Sequence, residues 1–252
     1  MRRLSILVGA CLLVLVMAPA SVAQASGRRV STASSPAVGT LPVVSCRTSF
    51  GAEPSSPFVA RRLPATTDLT RLAFYSNGFL TVLGPAGWAC GALVAADGGE
   101  KLDVFPPGQP DYSTRLPPKG AVLVELEGDY TGHLPGAELV CALFPNSAAA
   151  AAVRSSGLPC PSNEGEKVVH LTPDVVTFTD PPGVTGSGAG SGGSLASQGA
   201  AVYPQLQGGS ADSVDITLLA CTLPQRLATL CGAIEGDYVV RNPPQYVPQA
   251  GG

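Results

Sequence analysis

The sequence predicts a single strand-rich α+β domain, stabilised by disulfides, with few helices and long Pro/Gly-rich loops. Three observations support this fold class: many short β-rich runs between Gly and Pro clusters, two segments with helical spacing, and an even number of cysteines after a leader. Hydrophobic residues make up 45% of the chain and charged residues 13%. That balance is typical of a globular protein.

The clearest strand signal is a β-hairpin. The β-rich runs Leu72–Tyr75 and Phe79–Leu83 flank Asn77-Gly78, a dipeptide that readily takes the positive φ angles of a tight turn. Further predicted strands are a short one in 41–46, then Trp88–Ala95, Lys101–Phe105, Ala121–Glu127, Lys167–Leu171, Val175–Thr179, Ala200–Tyr203 and Val214–Cys221.

Two segments have the pattern of a helix. Residues 146–157 offer Asn146 or Ser147 as N-cap, then an alanine run, then Gly157 as a stop. The second segment begins at Pro224, a residue favoured at helix starts. Its buried face follows the i, i+3, i+4, i+7 spacing of Leu227, Leu230, Cys231 and Ile234.

The first residues predict export. Arg2 and Arg3 precede an apolar run from Leu4 to Met17 and then small residues, which is the pattern of a secretory signal peptide. We therefore expect a signal peptide in 1–25, a disordered stalk in 26–40, one globular domain in 41–242 with a Gly/Ser-rich loop in 183–199, and a disordered tail in 243–252. The expected location is extracellular, with no membrane span in the mature chain.

Removing the leader leaves six cysteines, which predicts a disulfide framework. Six cysteines allow fifteen connectivities. Their order along the chain favours Cys46–Cys90, Cys141–Cys160 and Cys221–Cys231. The last bridge would tie an inward-facing helical cysteine to the preceding strand. No Cys-x-x-Cys pair exists, so a zinc site is not expected.

Charge and motifs exclude two function classes. The mature chain has 13 basic and 18 acidic residues without a basic run, so binding to nucleic acid is not expected. A Gly-x-Gly-x-x-Gly match at Gly188, Gly190 and Gly193 lacks the preceding strand and following helix of a dinucleotide loop. We expect no cofactor, and we interpret this stretch as a mobile loop suited to binding.

A serine hydrolase is the first enzymatic alternative. Ser191 stands in a Gly-Ser-Gly-Gly setting, and His170 with Asp174 or Asp180 could complete a triad. The residue before Ser191 is Gly190, where chymotrypsin-like proteases have Asp. A structural or surface role for His170 is the favoured interpretation.

An acidic stripe is the second candidate site. Glu125, Glu127 and Asp129 alternate and so share one face of a predicted strand. Such carboxylates can catalyse glycoside hydrolysis or bind calcium. The favoured interpretation is the solvated face of a half-buried strand.

Several motifs together resemble an uncharacterised family of exported proteins from high-GC Gram-positive bacteria. They are GWAC followed by ADGG, CALFP, LPCP, VVTFTDPPGVTGSG…SGG and CTLPQRLATLC, between Cys46 and Tyr238. The resemblance implies that the cysteine pairs and the DPPGV…SGG loop belong to the domain itself. It implies no activity and no catalytic residues.

The sequence therefore favours a non-enzymatic extracellular or cell-envelope module that binds through its loops, as an envelope component or with a partner protein. The alternative is a secreted hydrolase that uses either Ser191 with His170 or the acidic strand. A third possibility is a purely structural envelope protein.

Overall fold

The computed structural model describes residues 41–48, 68–95, 99–128, 135–204 and 216–242. The predicted signal peptide, stalk and tail lie outside these residues, as does Asp129. The strands are β1 (Val43–Ser45), β2 (Arg47–Thr48), β3 (Leu72–Ser76), β4 (Thr81–Pro85), β5 (Ala89–Val94), β6 (Glu100–Phe105), β7 (Leu123–Gly128), β8 (Lys167–Thr172), β9 (Val175–Asp180), β10 (Ser197–Val202) and β11 (Thr217–Thr222). The α-helices are α1 (Pro135–Leu143), α2 (Ala148–Ser155) and α3 (Thr229–Arg241).

An eight-stranded sheet forms the centre of the fold, in the order β2-β5-β6-β7-β11-β10-β9-β8. Every neighbouring pair is antiparallel except β2 with β5. On one face it packs against a smaller sheet, β1-β3-β4, and against α3. On the other face it packs against α1 and α2, so the predicted α+β class is confirmed.

The predicted hairpin is present, but its connection is longer than a two-residue turn. Ser76 pairs with Thr81, so four residues join β3 to β4. The Asn77 side chain accepts hydrogen bonds from the backbone N–H groups of Phe79 and Leu80, and Gly78 has a φ of 89°. Phe79, predicted to begin a strand, therefore lies in the turn.

The helices follow the sequence in part. Ser147 caps α2, because its hydroxyl accepts from the N–H of Ala150. The last helix begins at Thr229, five residues after the predicted start at Pro224. Helix α1 was not predicted, although Ala137, Val140, Cys141 and Phe144 follow a helical spacing and are buried.

All three expected disulfides are present: Cys46–Cys90, Cys141–Cys160 and Cys221–Cys231. The second joins α1 to the segment that follows α2, and the third joins β11 to α3. Cys231 is buried on the inner face of α3, as the apolar spacing of that helix predicts. Each bridge thus links the central sheet or a helix to a loop or element beside it. Such cross-links stabilise the fold because they reduce the conformational entropy of the unfolded chain.

Candidate functional site

The Gly/Ser-rich stretch, which the sequence predicts to be mobile, forms a closed, hydrogen-bonded loop in this structure. The N–H of Gly183 donates to Gly193 O, and the N–H of Gly192 donates to Val184 O, both at 2.7 Å. Gly183, Gly190 and Gly192 all have positive φ angles, which side chains rarely adopt. The glycines therefore serve the turns of one compact structure, which we call the Gly/Ser loop (Gly183–Gly193).

The Gly/Ser loop is fastened to the sheet and to the loop before β7. Gly190 O accepts from the N–H of Gly120 at 2.7 Å, and Ala189 O accepts from the Thr222 hydroxyl at 2.6 Å. A methyl group on Gly193 would stand 2.3 Å from the Cα of Gly120. Backbone lies against backbone here, so only glycine fits.

Two carboxyl groups, Asp180 and Glu166, lie beneath the Gly/Ser loop. The N–H of Gly188 donates to Asp180 at 2.8 Å, and the N–H of Ser187 donates to Glu166 at 2.7 Å. A methyl group on Gly186 would meet oxygens of both carboxyls, which shows that they converge there. Burial, followed by the neighbouring Glu166, raises the pKa of Asp180 to about 7 despite the Gly188 hydrogen bond. We call Asp180 and Glu166 the loop pair.

A second acidic group lies on the same sheet face, where β6 pairs with β7. Lys101 is opposite Glu127 and Asp103 is opposite Glu125. The Lys101 Nζ is 2.5 Å from Glu125 Oε2 and 3.4 Å from Glu127 Oε1. We call Lys101, Asp103, Glu125 and Glu127 the floor cluster.

The carboxyls of the floor cluster are buried, so the predicted solvated strand face is wrong. Glu125 is 5% exposed and Glu127 is 7% exposed. Helix α1 and the Gly/Ser loop cover this side of β7, and the sequence pattern alone did not reveal that cover. The Lys101 ammonium pairs with both carboxylates in place of the water that would solvate them on an exposed strand. Buried carboxylates are usually paired in this way.

The raised pKa values of Asp103 and Glu125, which lie opposite each other on β6 and β7, predict that the two carboxyl groups share a proton. Asp103 is fully buried, and among the described residues neither of its oxygens receives a hydrogen bond from a protein donor. Burial and the adjacent Glu125 raise the pKa of Asp103 to about 9, and burial followed by Glu127 raises the pKa of Glu125 to about 7 against the effect of Lys101. A protonated Asp103 can donate to Glu125 and satisfy both groups.

A cavity of about 490 Å³ lies between the floor cluster and the Gly/Ser loop. Glu125 and Glu127 form its floor, Leu139 and Ala142 of α1 form one wall, and Ser191 belongs to the loop side. The remaining lining residues are Leu116, Pro117, Lys119, Glu138, Pro161, Asn163, Leu218 and residues 185–190. Three of the residues singled out from the sequence, Ser191, Glu125 and Glu127, thus line one cavity.

The structure does not bring Ser191 and His170 together. The Ser191 hydroxyl donates to Gly186 O and accepts from the N–H of Gly186, both at 3.1 Å, so it closes the loop. His170 lies on the edge strand β8 opposite Val176, which is four residues, roughly 13 Å, along β9 from Asp180. The His170 ring packs edge-on against Phe144, with 6.2 Å between ring centres.

Sequence reasoning missed three polar members of the two acidic groups: Lys101, Asp103 and Glu166. Lys101 and Asp103 alternate in a run predicted as a strand, as Glu125 and Glu127 do in another. Opposite charges on two such strands indicate that the strands pair and that the side chains face each other. Glu166 carries no pattern of its own. In the described part of the chain, no cluster of three or more His, Cys, Asp or Glu side chains is arranged to hold a metal ion.

Models of known protein families, curated proteins and solved structures were compared with this chain, and none of them matches it. None of the helices in the described ranges has the length and hydrophobicity required to span a bilayer.

Proposed function

We propose that the protein is an exported, non-enzymatic binding module of the extracellular space or cell envelope, and that it holds a small ligand in the cavity beneath the Gly/Ser loop. The cavity carries this proposal. Its volume of about 490 Å³ falls within the roughly 300–1,000 Å³ typical of ligand sites. Apolar walls from α1 and β11 stand above a polar floor, which is the usual composition of such sites.

Three features support export. The leader pattern in 1–25 ends in small residues, all six cysteines of the predicted mature chain are paired, and disulfides persist in oxidising compartments. Amino-terminal sequencing of the protein from its native host tests this proposal. We expect a chain that starts near Gln24 or Ser26 and has no free thiol. An intact leader on a reduced cytoplasmic chain would contradict export.

Two observations favour binding over catalysis. The Ser191 hydroxyl makes both of its hydrogen bonds within the Gly/Ser loop, so a substrate would have to displace loop contacts to reach it. The carboxylates of Glu125 and Glu127 are both paired with Lys101. A hydroxyl or carboxylate that already has hydrogen-bond or ion-pair partners is better suited to orienting a ligand than to acting as a nucleophile.

A fragment screen by ligand-observed NMR tests the cavity directly. The Ala142→Trp variant places an indole in the cavity, and Val240→Trp places the same ring on an exposed position of α3 as the control. We expect fragments that bind the wild type and Val240→Trp but are lost with Ala142→Trp. If Ala142→Trp folds and retains every fragment that the wild type binds, the cavity is not the binding site.

A carboxylate-based hydrolase is the second candidate, and one geometric observation favours it. Glu125 and Glu127 flank one Lys101 ammonium, so their nearest oxygens are less than about 6 Å apart, close to the roughly 5–5.5 Å of retaining glycosidases. The pKa of Glu125, raised to about 7, suits a general acid. Hydrolysis of a glycoside panel that is lost in both Glu125→Gln and Glu127→Gln would favour the enzyme over the binding module.

A further inference from the structure

We propose that the edge strand β8 is a self-association surface, where two copies of this chain pair antiparallel across a two-fold axis near His170. The proposal goes beyond the cavity and does not depend on it. It follows from the position of β8 in the central sheet, from the side chains that β8 exposes and from the charges at its two ends.

The two edges of the central sheet differ in their protection. One edge is β2, which has only two residues, Arg47 and Thr48. The other is β8, which has six residues and pairs only with β9 within the described ranges. Natural proteins shorten or charge their edge strands, because such a strand offers unpaired N–H and C=O groups to another chain. The β2 edge is both short and charged, whereas β8 is long and carries one lysine, at its first position.

Two large apolar side chains of β8 are exposed on one face. Val169 is 57% exposed and Leu171 is 52% exposed. Val168 packs against the core that α1 and α2 cover, and the His170 ring contacts Phe144 on that same side. Alternation therefore places Val169 and Leu171 on the face away from these helices, where they remain exposed.

These two side chains suit a second copy of the same strand. In an antiparallel pair centred on His170, Val169 of one copy lies directly opposite Leu171 of the other. A two-fold interface repeats this contact, so two apolar pairs form. Directly opposite residues share one face of a sheet and pack against each other. The bulge between His170 and Thr172 shortens the regular ladder, so we expect a reversible dimer of moderate affinity.

The charges at the ends of β8 favour the antiparallel arrangement. Lys167 begins the strand, and Asp174 lies in the turn after it. Within the described ranges, no salt bridge engages either side chain. A two-fold axis near His170 brings the start of each copy beside the end of the other, so Lys167 approaches Asp174 twice. The neighbouring Glu166 is directed to the Gly/Ser loop, where it accepts from the N–H of Ser187.

Sedimentation equilibrium of the chain without its predicted leader, at pH 8, tests the proposal. We expect a monomer–dimer equilibrium with a dissociation constant below roughly 100 μM, as for small interfaces. Val169→Lys places a charge in the apolar contact and should weaken the dimer at least about tenfold. Phe79→Lys is the matched control: Phe79 is 47% exposed in the β3–β4 turn, and its replacement should leave the equilibrium unchanged.

Exchanging the end charges tests the two-fold geometry. Lys167→Glu and Asp174→Lys each place like charges together at both ends of the interface, and each should weaken the dimer by roughly fivefold or more at low salt. An equimolar mixture of the two variants should associate as tightly as the wild type, because both contacts then join opposite charges.

The outcomes decide both parts of the proposal. A wild type that stays monomeric at about 300 μM overturns the second copy as the occupant of this edge and leaves the edge to a strand of another protein. A folded Val169→Lys protein that dimerises as tightly as the wild type also overturns it. A mixture that associates no better than either charge variant contradicts the antiparallel pairing. Circular dichroism establishes that each variant is folded, and the fragment screen with Ala142→Trp judges the cavity separately.

Discussion

The loop pair and the floor cluster both contain buried carboxyl groups, but different partners compensate them. Each places carboxyl groups on the same face of the central sheet, and in each burial raises a carboxyl pKa. Asp180 and Glu166 each accept a hydrogen bond from a backbone N–H group of the Gly/Ser loop. Glu125 and Glu127 both pair with the ammonium of Lys101.

The difference separates a structural role from a binding role. A backbone N–H belongs to a fixed chain conformation, so carboxyls held by N–H groups hold that conformation in return. A lysine balances charge but leaves carboxylate oxygens open to another donor. We therefore expect changes at the loop pair to act through stability, and changes at the floor cluster to act through stability and through binding in the cavity that Glu125 and Glu127 line.

Replacing Lys101 should produce the largest effect. Lys101→Met keeps much of the hydrocarbon stem but removes the ammonium that pairs with Glu125 and Glu127, and breaking a buried pair in this way costs roughly 3–5 kcal/mol. Chemical denaturation measures the free energy of unfolding. Lys119→Met, at the exposed mouth, is the control and should change it by less than about 1 kcal/mol. Equal effects of the two changes would contradict the assigned role of Lys101.

Crowding the loop pair should give a smaller loss. A methyl group on Gly188 would stand 2.0 Å from the Ser197 Oγ and 2.7 Å from Asp180 Oδ2, so Gly188→Ala should destabilise by roughly 1–3 kcal/mol. Gly232, on α3, has open space at the same position, and Gly232→Ala should stabilise by up to about 1 kcal/mol. A Gly188→Ala protein as stable as the wild type would show that the Gly/Ser loop is loosely held.

The prediction for pH follows from the proton shared in the floor cluster. The pKa of Asp103 rises from an unfolded value of 3.8 to about 9 in the fold, so the folded protein holds a proton that the unfolded chain has lost. The free energy of unfolding should therefore fall as pH rises between these values, and level off above pH 9. The raised pKa of Lys101 adds no slope here, since both of its states are protonated in this window.

Asp103→Asn tests this origin. An Asn amide can donate to Glu125 as the protonated acid does, but it cannot lose a proton. The free energy of unfolding of the variant should therefore fall less between pH 5 and pH 9 than that of the wild type, with a difference on the order of 1 kcal/mol or more. Chemical denaturation at each pH measures both values. Asp180→Asn should flatten the slope only below about pH 7, because the folded-state pKa of Asp180 is raised from 3.8 to about 7. An unchanged slope in Asp103→Asn would contradict the shared proton.

The sequence was informative where the signal is local. Cysteine order identified all three bridges, and alternation with turn residues identified most strands, because these patterns depend on nearby residues. The burial of Glu125 depends on α1 and on the Gly/Ser loop, which come from distant parts of the chain. Alternation assigns a strand residue to one of two faces, but it does not say what covers that face.

The Gly/Ser loop shows the same limit. Its composition is typical of a flexible linker. Its conformation depends on Asp180 at the end of β9, on Glu166 before β8 and on the close approach of Gly120, and no local pattern encodes these contacts. Glycine is compatible both with a flexible chain and with close packing of backbone against backbone, and the surrounding residues determine which of the two occurs.

Chemical-shift mapping of backbone amides with fragments that bind the wild type in the ligand-observed screen tests the central claim most directly. If the cavity between the floor cluster and the Gly/Ser loop is the binding site, the perturbed amides will be those of Glu125, Glu127 and residues 186–191. The amides of the outer edge strand β8 serve as the internal reference and should not move. Perturbations confined to β8, or spread evenly over the surface, would contradict the assignment of this cavity as the functional site.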